Sequence, residues 1–101
     1  MGVYAVSFEI KSDSDYSERY DSLVEQLKLK GDMWDETTSF ALVKTEESLG
    51  DFEHRLYLKS KLNSSKDKLF VIDVTDRPCI ARGAFVMPLT LKSIMPKVDQ
   101  K

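Results

Sequence analysis

The sequence predicts one α+β domain of the ferredoxin-like βαββαβ kind, a sandwich with a single antiparallel sheet, two helices on one face and a C-terminal arm. Three observations predict it. The 101 residues suffice for one core but not two. Apolar residues switch between a two-residue and a helical period in the order β-α-β-β-α-β. Clusters of Gly, Asp, Asn and Ser mark the switches. The ferredoxin-like domain is expected over residues 1–83 and the arm over 84–101.

Residues 3–10, VYAVSFEI, alternate, setting Tyr4, Val6, Phe8 and Ile10 on one face and Val3, Ala5, Ser7 and Glu9 on the other. Asp15 and Glu18 stand at capping-box spacing before Tyr16, Tyr20, Leu23, Val24 and Leu27, which recur at helical intervals until Gly31 stops the helix as a C′ residue. Residues 33–37 and 39–44 are two short β-prone runs that read as a tight hairpin. A second helix starts at 45–48; its stripe is Leu49, Phe52, Leu56 and Leu62, with His54, Arg55 and Lys59 toward solvent. Residues 68–74, KLFVIDV, form the last core strand, and 75–78 turn away from it. Beyond lies one more short strand, around 80–82 or 86–91, which Pro88 and Pro96 restrict to an edge or an arm.

With both helices on one face, the expected core is Tyr4, Val6, Phe8, Phe40, Leu42, Phe70 and Ile72. The opposite face then carries Val3, Ala5, Ser7, Glu9, Ala41, Val43, Leu69, Val71 and Asp73. It is apolar enough that a homodimer through this open face is the expectation. No ring of the central strands falls on it, which argues against base stacking of the RNA-recognition-motif kind. Trp34 and Tyr57 read as residues that close the edges of a core.

Composition narrows the function classes. The chain is 42% hydrophobic and 32% charged, as globular proteins are. Fifteen basic against seventeen acidic residues give −2, which argues against affinity based on blanketing phosphates but leaves room for a local basic patch. The single cysteine, Cys79, has no internal partner, and no zinc spacing is present. With no basic leader and no long apolar run, a cytoplasmic protein without membrane insertion is expected.

Glu9 closes the first strand and Asp73 the antiparallel neighbour, so the two acids belong at opposite ends of the sheet. Across a two-fold axis, Glu9 can meet its own symmetry mate, and two carboxylates can bind Mg²⁺ or Mn²⁺. Asp73, Asp76 and Arg77 make a charged turn to which Arg82 adds. His54 has no Cys, Ser or second His to work with, and the glycines form no phosphate loop.

YAVSFEI, then DYSERYDSLVEQL, then Trp34 with TTSFALVKTEESLGDFEHRL, then LNSSKDKLFVIDVT, resemble in order and spacing the small bacterial proteins labelled SinR-like, over roughly residues 4–75. That group is similar in fold to the CRISPR-associated adaptation protein (Cas two) and to VapD-type toxin ribonucleases. The resemblance implies a ferredoxin-like dimer with an acid at the end of the first strand serving metal-dependent nuclease activity. That acid falls on Glu9, where the pattern more often has Asp. The leading expectation is a dimeric protein associated with RNA or DNA, a weak metal-dependent endoribonuclease with Glu9 as catalytic and metal-binding residue and with Arg77 and Arg82 on phosphates. A non-catalytic dimeric scaffold or regulatory protein-interaction module is the alternative, favoured by the near-neutral charge. A small-molecule sensor is a third reading, and it requires a pocket.

Overall fold

The computed structural model describes residues 1–101. The alternating run becomes β1 (Gly2–Glu9), followed by α1 (Tyr16–Leu29), β2 (Gly31–Trp34), β3 (Phe40–Thr45), α2 (Leu49–Leu58) and β4 (Lys68–Asp73). The C-terminal segment adds β5 (Cys79–Ala81), α3 (Pro88–Ile94) and β6 (Val98–Gln100). The architecture is α+β. The first four strands form an antiparallel sheet in the order β2-β3-β1-β4, and β5 and β6 pair in parallel as a second, two-stranded sheet. No helix is long and apolar enough to cross a membrane.

Residues directly opposite each other in an antiparallel pair share a face, so register decides what is buried. Tyr4 faces Val43, Val6 faces both Ala41 and Val71, and Phe8 faces Leu69. Tyr4, Val6, Phe8, Ala41 and Val43 accordingly form one buried cluster with Leu23 and Leu27 of α1 and Phe52 and Leu56 of α2, against which Leu69 and Val71 pack. This is the Tyr4 side. The expected phase holds for β1 but is inverted for β3 and β4: Leu42 belongs to a separate cluster, and Phe70 and Ile72 are exposed. Each strand carries four consecutive apolar residues, FALV in β3 and LFVI in β4, so alternation alone does not choose their phase; pairing with β1 does.

Three local expectations change for physical reasons. Asp15 takes the N-cap position, but with φ −103° and ψ 10° it lacks the extended backbone of a capping residue, and its side chain makes no cap bond. Gly31 opens β2 instead of ending α1 in a left-handed turn: a Cβ there would lie 2.0 Å from the Lys44 carbonyl oxygen. Arg55 is buried, not solvated. It donates through Nε and Nη2 to the two Glu47 carboxylate oxygens, each at 2.8 Å, and those bonds hold the Glu47 carboxyl below its ordinary range against the opposing effect of burial.

A second polar lock lies where β4 begins. Arg19, 4% exposed, donates to Asp67 Oδ2 at 2.9 Å, to Asp13 Oδ1 at 3.0 Å and to the Lys11 carbonyl oxygen at 2.9 Å. Burial raises the Asp67 carboxyl, but the Asn63 and Lys11 backbone N–H groups together with Arg19 outweigh it, and the net shift is downward. No buried side-chain nitrogen or oxygen is left without a partner. The Tyr4 side is thus closed in both its apolar and its polar parts.

Candidate functional site

The other face of the sheet is built from the alternate residues. Val3, Ala5, Trp34 and Leu42 pack against Ala81, Leu91, Ile94, Met95 and Val98, with Phe40, Val74, Cys79 and Phe85 partly buried at the margin. The expected open face is therefore covered at its centre by residues 79–101 of the same chain. What stays uncovered is the β4 margin, where Phe70 is 63% and Ile72 47% exposed. Ser7 stands opposite both Phe40 and Phe70, so a row of ring, serine and ring crosses β3, β1 and β4 on this side. The expectation that no ring of the central strands lies here is overturned, and the cause is the inverted phase of β3 and β4.

One carboxylate fastens the C-terminal segment. Glu36, in the β2–β3 connection, accepts from the backbone N–H of Val86 at 2.5 Å, from that of Met87 at 2.8 Å and from the Trp34 indole at 2.9 Å. These N–H groups, led by Val86, hold the Glu36 carboxyl below its ordinary range. The segment's own turn needs Gly83, whose φ of 130° is one that residues with a Cβ rarely adopt. Sequence reasoning did not find Glu36, because its backbone partners lie 50 and 51 residues away.

Between the sheet and this cap lies a cavity of about 450 Å³ with mainly apolar walls, among them Ala5, Trp34, Phe40, Leu42, Phe85 and Met95. Arg77 and Arg82 also line it, and both are exposed. The guanidinium hydrogen bonds and ion pairs of the chain belong to Arg19 and Arg55, which leaves Arg77 and Arg82 without a side-chain partner. The charged turn of Asp73, Asp76 and Arg77 therefore forms without an ion pair of its own. Asp73 accepts instead from the backbone N–H and hydroxyl of Thr75, which lower its carboxyl. Cys79 is half-buried in the same wall, and burial pushes its thiol up.

Glu9 and Asp73 stand at opposite ends of the β1–β4 pair, since Glu9 faces Lys68 and Tyr4 faces Asp73. Glu9 is open to solvent, its side chain 74% exposed, and its carboxylate lies 3.3 Å from Lys68 Nζ. One carboxylate beside an ammonium group is not a donor set that fits Mg²⁺ or Mn²⁺ within a single chain, and no three His, Cys, Asp or Glu side chains converge elsewhere. Glu9 is also separated from the Arg77 turn by roughly 17 Å of strand, five residues at strand rise, so the structure does not bring the expected acid and arginines together within one subunit. His54 is exposed on α2.

No family model matches the chain, and neither a curated protein nor a solved structure matches it significantly.

Proposed function

We propose that the chain is a nucleic-acid-associated protein that acts as a homodimer, and that it binds single strands on the Ala5 side of the sheet. The observation that carries this reading is the Phe40–Ser7–Phe70 row, with one ring largely bare, together with two partnerless arginines that line the same cavity as Phe40. Exposed rings on a sheet stack on bases of any sequence, and arginines neutralise the phosphates between them. The strand order β2-β3-β1-β4 supports the ferredoxin-like sandwich, with α1 and α2 together on the Tyr4 side. The kinship with SinR-like, CRISPR-adaptation and VapD-type proteins that belongs to this reading is drawn from the sequence motifs.

Dimerisation through the β4 margin is part of the proposal. β4 pairs on one side only, and a two-fold axis beside it would set two copies antiparallel. The Glu9 end of one subunit would then lie by the Arg77 turn of the other, closing the separation found within one chain. In this arrangement Glu9 would approach the acids of the partner's charged turn and not its own symmetry mate, so metal-dependent cleavage would require carboxylates of two kinds, one from each subunit, and Mg²⁺ or Mn²⁺ would enter only there.

Fluorescence anisotropy with labelled single-stranded RNA and DNA tests the reading. Binding is expected at low salt, weakening steeply as salt rises. Phe70→Ala should weaken it for all sequences, and the Arg77→Ala/Arg82→Ala double variant should flatten the salt slope by about 1.4. Absence of binding at low salt would sink the proposal. Cleavage of RNA with Mn²⁺ that Glu9→Gln leaves unchanged would remove Glu9 from catalysis.

A second reading, a non-catalytic protein-interaction module, is favoured by the neighbouring exposure of Phe70 and Ile72 on the edge strand. Sedimentation of the chain and of an Ile72→Lys variant separates the two. Dimers that Ile72→Lys dissolves, with no affinity for either nucleic acid, select this reading.

A further inference from the structure

The four arginines of the chain divide into two pairs with opposite fates. Arg19 and Arg55 are buried and fully engaged by carboxylates and carbonyl oxygens. Arg77 and Arg82 have no side-chain partner, and both line the same cavity. A guanidinium presents a planar fork of donors that matches a carboxylate in two-point contact. The rest of the lining is mainly apolar and aromatic, and the volume of about 450 Å³ lies in the range of small-molecule sites.

We propose that this cavity binds a small amphipathic carboxylate, its apolar body between the sheet and the C-terminal cap and its carboxylate on Arg77 and Arg82. Charge and polarity together select the class. A fully apolar molecule would make no use of the guanidinium groups, and a short polar anion would leave the half-buried rings of Phe40 and Phe85 uncovered. This site goes beyond the nucleic-acid reading and does not rest on it, although an occupant would compete for the arginines assigned there to phosphates.

The chain carries its own reporters. Trp34, the single tryptophan, stands in the cavity wall with its ring centroid 5.7 Å from that of Phe85, and Cys79, the single cysteine, lies in the same lining. Decanoate is the probe, with decanol and acetate as controls that lack the charge and the apolar body respectively. Titration with no nucleic acid present should shift Trp34 emission and slow the reaction of Cys79 with a thiol reagent. Arg77→Ala/Arg82→Ala should weaken decanoate binding about tenfold or more, consistent with the loss of charge-assisted hydrogen bonds, and leave decanol unaffected. Both arginines are exposed, so the folded state should survive the change, which the circular dichroism spectrum would verify. Phe70→Ser should leave the titration unchanged, because Phe70 is outside the lining. The proposal is overturned if decanoate moves neither reporter, if the double variant binds it as tightly as the parent chain, or if Phe70→Ser abolishes the signal.

Discussion

The two sides of the β2-β3-β1-β4 sheet are built to different standards of closure. On the Tyr4 side, Leu23, Leu27, Phe52 and Leu56 are fully buried in one cluster with Tyr4, Val6 and Phe8, and the polar groups are tied into the Arg19–Asp67 and Arg55–Glu47 locks. On the Ala5 side, the cover is a seven-residue helix and two three-residue strands, held just before the helix by Glu36, with a cavity beneath and Ile80, Val86 and Leu89 left in water. The Tyr4 side specifies the fold. The Ala5 side combines incomplete cover, a bare ring and spare charge, the properties a binding surface needs and a core excludes.

The contrast is sharpest in the response to truncation. Phe52→Ala, which removes the ring stacked 5.1 Å from Tyr4, should cost about 4 kcal/mol and lower the urea midpoint of the whole chain. Asp67→Ala should follow at about 3 kcal/mol, because it strands a buried guanidinium and two backbone donors. Ile94→Ala in the cap should cost about 2 kcal/mol at the low end of its type, and the loss should be local. Hydrogen exchange should then accelerate in residues 79–101 while the α1 and α2 amides remain protected. Equal acceleration on both sides would break the distinction.

Acid gives a gentler probe. Glu36 has a depressed carboxyl, so its contribution is complete above the ordinary carboxylate range and is lost as pH falls through its lower folded value. Glu36→Gln should therefore raise exchange in the cap at neutral pH, and the gap between variant and parent should close below about pH 4. A gap that widens on acidification would contradict the assignment. The smallest effect is expected at Glu9. Glu9→Gln breaks only an exposed pair with Lys68, and such pairs contribute about 0–1 kcal/mol, so the melting temperature should not move measurably.

Much of this was legible in the sequence wherever one residue type or one period decided the outcome. Alternation placed Tyr4, Val6 and Phe8 together, and helical spacing found Leu23, Leu27, Phe52 and Leu56. It failed where partners are distant. KLFVIDV is apolar on both faces, and only pairing with β1 turns Leu69 and Val71 inward and Phe70 outward. Arg55 reads as a solvated helix residue until Glu47 and Gln26 are seen around it. Of the candidate site, the sequence singled out Glu9, Arg77 and Arg82; it carried no local sign of the Glu36 latch or of the cavity, both of which join segments far apart in the chain.

The order of the elements along the chain has a consequence for biosynthesis. A ribosome delivers β1 through β4, with α1 and α2, before it delivers the residues that cover Val3, Ala5 and Leu42. For that interval the nascent protein has a finished core on one flank and an unprotected greasy flank on the other, the kind of species that chaperones hold and that otherwise clumps.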